Sequence, residues 1–187
     1  MKKRKLIRNI LLLACVFLFI AWLNVFLIKN SETVRLVVSQ FGYAGMFVVA
    51  IISGFNVAVP IPVIGFYPLF VELGFVPVFI ILTLSLGMTL GNTVGYFVGF
   101  AGKGFFERAS SIRVRKMFDR LYLRHQSLPF VFLFFYAAFV PLPNELLVIP
   151  MAIAGYRFWQ MVVVLLIGNI IFNIVGAFGI STIVSFL

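Results

Sequence analysis

Residues 59–97 read VPIPVIGFYPLFVELGFVPVFIILTLSLGMTLGNTVGYF, and residues 140–178 read VPLPNELLVIPMAIAGYRFWQMVVVLLIGNIIFNIVGAF. Adding 81 to a residue number in the first stretch gives its counterpart in the second, and ten such pairs are identical without a gap. Apolar chains often match by chance at Leu, Val or Phe, but six of the ten pairs are Pro, Gly or Asn. The stretches therefore indicate an internal duplication, which maps Val59, Pro60, Pro62, Gly74, Leu84, Gly87, Asn92, Val94, Gly95 and Phe97 onto Val140, Pro141, Pro143, Gly155, Leu165, Gly168, Asn173, Val175, Gly176 and Phe178.

Each copy carries a proline pair between two apolar segments, Pro60 and Pro62 in the first copy and Pro141 and Pro143 in the second. Two prolines in three residues remove backbone donors and fix φ, so a helix cannot continue through them. In lipid, such a break is tolerated only where protein or a water-filled cavity surrounds it. Paired breaks in the two halves of a membrane protein point to a transport site, and we predict that both proline pairs form re-entrant tips.

The composition is that of an integral membrane protein. The chain is 63% hydrophobic and 11% charged, with a mean hydropathy of +1.17, which excludes an ordinary soluble domain. Its net charge of +10 would suggest nucleic acid as the partner of a soluble protein. Here the basic residues flank apolar segments, as the positive-inside rule expects, so we predict no nucleic-acid partner. The single Cys excludes a disulfide framework within the chain.

Charge also predicts the topology. Residues 1–28 are expected to form a transmembrane helix with a cytoplasmic amino terminus. If Leu36–Leu73 dips into the membrane and returns to the outer face, the next span runs inward and leaves the loop Lys103–His125 in the cytoplasm. That loop carries seven basic and two acidic side chains, a net charge of +5, which a full crossing would put outside. We predict a basic amphipathic helix in residues 102–127 on the anionic inner leaflet, with a solvated linker as the alternative.

The second copy then enters from the inside. Leu128–Phe139 enters, the chain returns near Gly155, and Phe158–Phe178 crosses outward. Two copies that enter from opposite faces, 36–101 and 128–187, form an inverted repeat. The predicted fold is therefore an all-α polytopic membrane protein with two re-entrant helical hairpins and transmembrane helices. We expect it in a prokaryotic inner membrane with its carboxyl terminus outside, in contact with membrane lipids, while self-association into a homo-oligomer stays open.

Glu145 is the first candidate for a group that acts in transport. It follows Pro143 and Asn144 at the second tip, among apolar residues. A buried carboxylate costs several kcal/mol unless it is paired, hydrated or protonated, so Glu145 could take up and release a proton during a transport cycle. The alternative is a cap on the short returning helix. For Glu72, a substrate or proton-binding role competes with a position at the wetted rim, and the rim is favoured.

Paired amides and a glycine row occupy the long apolar segments. In lipid, Asn92 and Asn173 each need a partner, so packing across the pseudo-symmetry axis competes with contact to a ligand. With Asn144 they complete the candidate set for substrate or proton binding. A row of glycines at every fourth position strips one helix face for close packing, and its members are Gly87, Gly91, Gly95 and Gly99. The sequence contains no nucleophile–base pair, metal-ligand cluster or phosphate loop, so we predict neither enzymatic activity nor a metal or cofactor.

From Ala58 to Gly74 and from Ala138 to Gly176, the pattern resembles the DedA superfamily, also called the VTT or SNARE-associated family. The resemblance covers roughly residues 36–180: apolar run, Pro-x-Pro tip, glycine-bearing span, basic middle loop, second tip and final spans. It implies facing re-entrant hairpins and a lipid translocase, linked in bacterial members to undecaprenyl phosphate recycling and envelope homeostasis and in eukaryotic members to phospholipid scrambling. Typical bacterial members carry arginines, the natural phosphate ligands, where this chain has Ala138 and Asn144.

Three functional hypotheses follow. The first is a transporter or lipid flippase that moves a lipid or a lipid-linked phosphate, with Glu145 as its titratable group. The second is a proton- or ion-coupled exporter of a small cationic solute, which an acidic site without arginines favours. The third is a non-transporting membrane scaffold, in which the basic loop recruits a partner or anionic lipid.

Overall fold

A computed structural model of the chain describes residues 31–55, 63–109 and 127–185, together with Cys15. Within these residues the chain is helical and contains no strand. The predicted transmembrane helix in residues 1–28, the first proline pair and residues 110–126 of the predicted basic helix lie outside the described residues.

Three of the described helices are long and apolar enough to cross a membrane. Their apolar windows are Glu32–Gly54, Pro77–Ala101 and Phe158–Gly179. The prediction of an all-helical chain is therefore confirmed for the described residues, and three of its helices could cross a membrane by length and composition. The helices are α1 (Ser31–Gly54), α2 (Tyr67–Glu72), α3 (Pro77–Ala109), α4 (Leu128–Phe139), α5 (Glu145–Ala154) and α6 (Phe158–Ser185), and a 3-10 turn at Val63–Phe66 precedes α2.

Prolines and glycines set several of the helix ends. α3 begins at Pro77, and α4 carries Pro129 in its first turn, where the missing N–H removes no intrahelical bond. α5 ends at Gly155 with φ 90°, and the chain after α2 turns at Gly74 with φ 86°. Both values lie in the left-handed region, which glycine adopts without steric cost. These two glycines are one of the identical pairs of the duplication.

α1 is interrupted by a kink at Gly42. The backbone there has φ 59° and ψ −135°, a combination outside the helical region and accessible in practice to glycine alone. The part of α1 beyond the kink, residues 43–54, is about as long as α4. α1 therefore consists of two helical segments that meet at Gly42.

The chain enters α1 and leaves α2 at the same end of the bundle. Arg35 near the start of α1 places its Nη2 atom 3.4 Å from Oε1 of Glu72, the last residue of α2. The backbone N–H of Val76 donates to the Tyr43 hydroxyl at 3.0 Å. Val76 directly precedes Pro77, where α3 begins.

The chain enters α4 and leaves α5 beside the second half of α3. The rings of Phe130 and Tyr156 have centroids 5.5 Å apart, and the Tyr96 hydroxyl donates to the Tyr156 carbonyl at 3.0 Å. α4 has 12 residues and α5 has 10. At 1.5 Å per residue they are about 18 and 15 Å long, roughly half of the ~30 Å hydrocarbon core of a bilayer. Neither helix can cross a membrane by itself.

The first half of the glycine row brings α1 onto α3. A Cβ atom added to Gly87 would stand 2.5 Å from the Cβ of Ala50. One added to Gly91 would clash with the carbonyl oxygen of Ile51 and stand 2.7 Å from the Cα of Gly54. The absence of side chains at these positions therefore allows the two backbones to touch.

The second half of the row brings α5 onto α3. A Cβ atom added to Gly95 would stand 2.9 Å from the Cγ of Glu145, and one added to Gly99 would stand 2.6 Å from the carbonyl oxygen of Ile149. The four glycines thus serve two different neighbours, α1 and α5, on successive turns of one helix.

Gly176 on α6 makes a contact that corresponds to the contact of Gly95 with Glu145. A Cβ atom added to Gly176 would stand 2.9 Å from Cγ1 of Ile64 in the 3-10 turn. Gly95 and Gly176 are counterparts under the 81-residue offset, and so are Ile64 and Glu145. Corresponding positions therefore touch in both halves of the chain, with an apolar side chain in the first half and a carboxylate in the second.

Two buried apolar clusters hold the helices together. One joins α1, the 3-10 turn, α2, α3 and α6, and includes Val38, Met46, Phe70, Ile80 and Ala177. The other joins α4, α5 and α6, and includes Leu133, Ala137, Val148, Met151, Met161 and Leu165. Large apolar side chains remain exposed on the outer faces of the helices, among them Phe97 on α3, Phe135 on α4 and Val163 on α6. A protein surrounded by lipid requires such a surface.

Candidate functional site

A cluster of buried polar side chains lies where α1, α5 and α6 meet the middle of α3. Thr89 is the middle residue of the apolar window Pro77–Ala101, so the cluster lies about half-way along that window. We call it the central polar cluster, and its members are Ser85, Thr89, Asn92, Asn144, Glu145, Asn169 and Asn173.

Glu145 is 1% exposed at the first position of α5. α4 stops at Phe139 before the second proline pair, and α5 begins shortly after it, so Glu145 occurs at the positive end of the dipole of a new helix. Gly95 leaves room for its side chain. Oε1 of Glu145 accepts a hydrogen bond from the amide nitrogen of Asn92 at 3.1 Å. The carboxylate is therefore both at a helix N-terminus and within the central polar cluster.

Asn92 connects three helices to α3. Its amide is assigned with the nitrogen towards Glu145, because the opposite orientation would turn its oxygen to acceptors and its nitrogen to donors. The nitrogen donates to the carbonyl of Gly54, the last residue of α1, at 2.6 Å, and to Glu145 of α5. The oxygen accepts from Asn144 at 3.0 Å and from Asn169 of α6 at 3.2 Å. The side chain thus uses its full hydrogen-bonding capacity.

Asn169 is a member of the cluster that the sequence analysis missed. Its Nδ2 donates to Thr89 Oγ1 at 3.0 Å, and its Oδ1 accepts from Nδ2 of Asn144 at 3.3 Å. The duplication does not mark it, because its counterpart is Met88. One signal was present: Asn169 precedes Asn173 by four residues, which puts both amides on the same face of α6.

Asn173 lies one helical turn further along α6 and is fully buried. Its Nδ2 donates to Ser85 Oγ at 2.9 Å and lies 3.5 Å from the sulfur of Met88. Its Oδ1 has no hydrogen-bond partner in the described part of the chain. Asn92 and Asn173, paired by sequence, therefore occupy different levels of one polar ladder that runs between α3 and α6.

Glu72 lies apart from this cluster. Its side chain is 65% exposed and pairs with the half-exposed Arg35 at the end of the bundle where α2 ends. An exposed pair of this kind contributes about 0–1 kcal/mol. Among the five residues predicted to bind substrate or a proton, the structure brings together Glu145, Asn144 and Asn92, puts Asn173 two helical turns from Asn92 along the α3–α6 interface, and separates Glu72.

A cavity of about 50 Å³ adjoins the cluster at the end of α4. We call it the tip cavity. A site of about 10–15 Å³ holds one water molecule, so the tip cavity has room for a few waters or a small ion. The second proline pair contributes to its wall, while the first pair lies outside the described residues. Its lining residues are Ser53, Gly54, Met88, Asn92, Ala137, Val140, Pro141, Leu142, Pro143, Asn144, Asn169 and Phe172.

A larger groove of about 560 Å³ runs between the start of α3 and the far end of α6. Its walls are apolar except for the side chain of Tyr67. We call it the α3–α6 groove, and it is lined by Tyr67, Pro77, Val78, Ile81, Leu82, Ile170, Ile174, Ala177 and Phe178.

The central polar cluster offers amides, hydroxyls and one carboxylate. Within the described residues, no lysine or arginine lines the tip cavity, and no three His, Cys, Asp or Glu side chains lie close enough to hold a metal ion. Chemically, such an arrangement can exchange a proton at Glu145 and can surround a small polar group with oxygen atoms. No protein-family model matches the chain, and no curated protein or solved structure matches it.

Proposed function

We propose that the chain is a membrane transport protein built as an inverted repeat, in which two re-entrant helical pairs meet near the middle of the membrane. The shortness of α4 and α5 supports re-entry of the second pair. The Arg35–Glu72 contact supports re-entry of the first pair, because it joins the start of α1 to the end of α2. The Val76–Tyr43 contact lies at the start of α3 and the Tyr96–Tyr156 contact lies in its second half, which supports opposite orientations of the two pairs.

Single-cysteine labelling tests this topology. In a Cys15→Ser background, Glu72→Cys and Gln160→Cys place thiols at two exposed positions, one at the end of α2 and one in the first turn of α6. We expect a membrane-impermeant maleimide to label Glu72→Cys only from outside and Gln160→Cys only from the cytoplasm. Labelling of both thiols from the same side would contradict the inverted repeat.

The burial of Glu145 in the central polar cluster is the observation that carries the transport proposal. An ionisable side chain at this depth is costly and is typically retained where ions, protons or substrates pass. In the proposed cycle, Glu145 binds a proton in one conformation of the tips and releases it in another. Asn92 transmits the change in protonation of Glu145 to α1, because its amide bonds both Glu145 and the last carbonyl of α1.

A lipid or a lipid-linked phosphate is the first substrate class, as the resemblance to the DedA superfamily implies. The α3–α6 groove supports this assignment. Its walls are apolar and its volume of about 560 Å³ suits hydrocarbon, and it lies along the helix interface that also contains Ser85 and Asn173. A lipid chain in the groove would lie next to the polar ladder.

A small cationic solute is the second substrate class. The absence of lysine and arginine from the described lining of the tip cavity favours it, because a phosphate group is normally bound by such side chains. In this version the protein is a proton- or ion-coupled exporter, and Glu145 alternates between the proton and the cation.

Transport by the full chain in proteoliposomes tests the function. The probes are a fluorescent phospholipid, a polyprenyl phosphate and a lipophilic organic cation, each measured with and without a pH gradient. We expect Glu145→Gln to reduce proton-driven transport at least about tenfold, because the amide keeps the shape but cannot titrate. Glu72→Gln is the matched control and should retain transport, since Glu72 lies at the exposed rim.

The two variants separate the hypotheses. Undiminished transport by Glu145→Gln would remove Glu145 from the mechanism. Failure of the wild-type protein to move any of the three probes would contradict the transport function and favour the membrane scaffold.

A further inference from the structure

We infer that the tip cavity is a binding site for a small monovalent cation, Na⁺, and not for a phosphate group. The inference deepens the proposed transport function and rests on it, because a cation held between the helix ends is the ion to which movement of the tips would be coupled. Four features of the described residues carry it: the helix ends, the prolines, the side chains of the wall and the cavity volume.

Two helix C-termini converge on the cavity. α1 ends at Gly54 and α4 ends at Phe139, and the cavity wall includes Gly54 and Val140. The last carbonyls of a helix lack intrahelical partners and form the negative end of its dipole. Among the described residues at the cavity, the opposing N-terminus is that of α5, and Glu145 occupies its first position. Two negative helix ends and the Glu145 carboxylate therefore outweigh one positive helix end, and the electrostatic potential at the cavity is negative.

The prolines make the backbone of the wall rich in acceptors. In Val140–Pro143, two of four residues have no N–H, and the N–H of Val140 already donates to the carbonyl of Tyr136 at 2.9 Å. The carbonyls of this segment outnumber its free donors. An anion needs N–H groups directed at it, whereas a hard cation needs oxygen atoms.

The side chains of the wall continue this pattern. Asn92, Asn144 and Asn169 contribute amides, Ser53 contributes a hydroxyl, and the described lining residues include no cationic side chain. The carboxylate of Glu145 stands behind Asn92 at 3.1 Å, so its negative charge acts on the cavity through one amide. An amide oxygen has two lone pairs, and Asn169 Oδ1 accepts a hydrogen bond from Asn144 with one of them, so the other can face a cation.

The volume of the tip cavity suits a small ion. About 50 Å³ accommodates a partly dehydrated alkali cation with a few waters. Broken helices in secondary transporters bind Na⁺ in the same manner, with unwound backbone carbonyls and half-helix C-termini as ligands.

Equilibrium binding of ²²Na⁺ to the purified full-length protein in detergent tests the inference. N-methyl-D-glucamine chloride replaces NaCl to keep the ionic strength constant. We expect saturable binding by the wild-type protein and affinities lower by at least about tenfold in Glu145→Gln and in Asn169→Leu. Thr93→Val is the matched control on α3, because its hydroxyl bonds to its own helix at Leu90 and lies outside the cavity wall.

Size-exclusion profiles and circular dichroism check that each variant is folded. If Asn169→Leu does not fold, Ser53→Ala replaces it, since this change removes one hydroxyl from the cavity wall and should also weaken Na⁺ binding. Absence of saturable Na⁺ binding by the wild-type protein would overturn the inference, as would an unchanged affinity in Glu145→Gln. Saturable binding of inorganic phosphate that Na⁺ does not affect would overturn it too.

The same preparation distinguishes this inference from the proposed function. Transport that continues at its full rate in Na⁺-free buffer, by a protein that does not bind Na⁺, would refute the cation site and leave the transporter intact. Specific Na⁺ binding without transport of any probe would support the site and refute the transport function.

Discussion

Replacing Gly91 by alanine is expected to separate α1 from α3 and to cause one of the largest losses of stability that a single methyl group can produce in this protein. The added Cβ would clash with the Ile51 carbonyl oxygen and stand 2.7 Å from the Cα of Gly54. Both neighbours are backbone atoms, so no side-chain rotation relieves the contact. Overpacking of this kind costs about 1–3 kcal/mol and sometimes more.

The displacement should also reach the central polar cluster. Gly54 carries the carbonyl that accepts from Asn92 at 2.6 Å, so a shift of the end of α1 lengthens that bond. Two quantities are measured on the purified protein in detergent: the apparent melting temperature, from circular dichroism, and the monodisperse fraction that remains after heating. We expect a decrease in both relative to the wild-type protein.

Gly179→Ala is the matched control for this experiment. It makes the same change in another apolar helix, at an exposed position where the added Cβ meets nothing within 4 Å. Its melting temperature should equal that of the wild-type protein or rise slightly, because alanine has the higher helix propensity. If Gly91→Ala and Gly179→Ala melt at the same temperature, the close approach of α1 and α3 is wrong.

Asn92→Leu is expected to have the second large effect, through hydrogen bonds and not through packing. Leucine has the same branched arrangement of side-chain heavy atoms but cannot donate to Gly54 or to Glu145. It also cannot accept from Asn144 or Asn169. Each buried polar group left without its partner costs about 1–3 kcal/mol, and a charged group costs more. We expect a loss of at least about 3 kcal/mol in the free energy of unfolding, together with loss of transport.

A double variant isolates the charged partner. Asn92→Leu with Glu145→Leu removes both ends of the bond, and paired apolar replacement of a buried polar pair is often neutral or stabilising. It should therefore regain much of the lost stability without regaining transport. The control Thr93→Val removes the neighbouring hydroxyl, which bonds within its own helix at 2.6 Å, and should change stability little. Equal stability of Asn92→Leu and the wild-type protein would contradict the proposed role of Asn92.

Local signals explain which helix ends were predictable. The predicted segment Leu128–Phe139 matches α4, and the predicted return near Gly155 matches the end of α5. A proline pair or a glycine with positive φ acts on its immediate neighbours, whatever surrounds it. The carboxyl end of α3 was not predicted: α3 continues to Ala109, beyond the predicted end at Ala101, because helical propensity does not stop where the apolar run ends.

The sequence by itself determined that this is an all-helical membrane protein, where several of its helices break and which acidic residue lies at the second break. Hydropathy, proline and glycine act locally, so these features can be seen in a few neighbouring residues. Only the tertiary structure decided that Asn169 joins Thr89 and Asn144, that Asn92 bonds the end of α1, and that Glu72 stays at the rim with Arg35. Those partners lie tens of residues apart in the chain, and they are selected by the close approach of helix backbones at the glycines of α3.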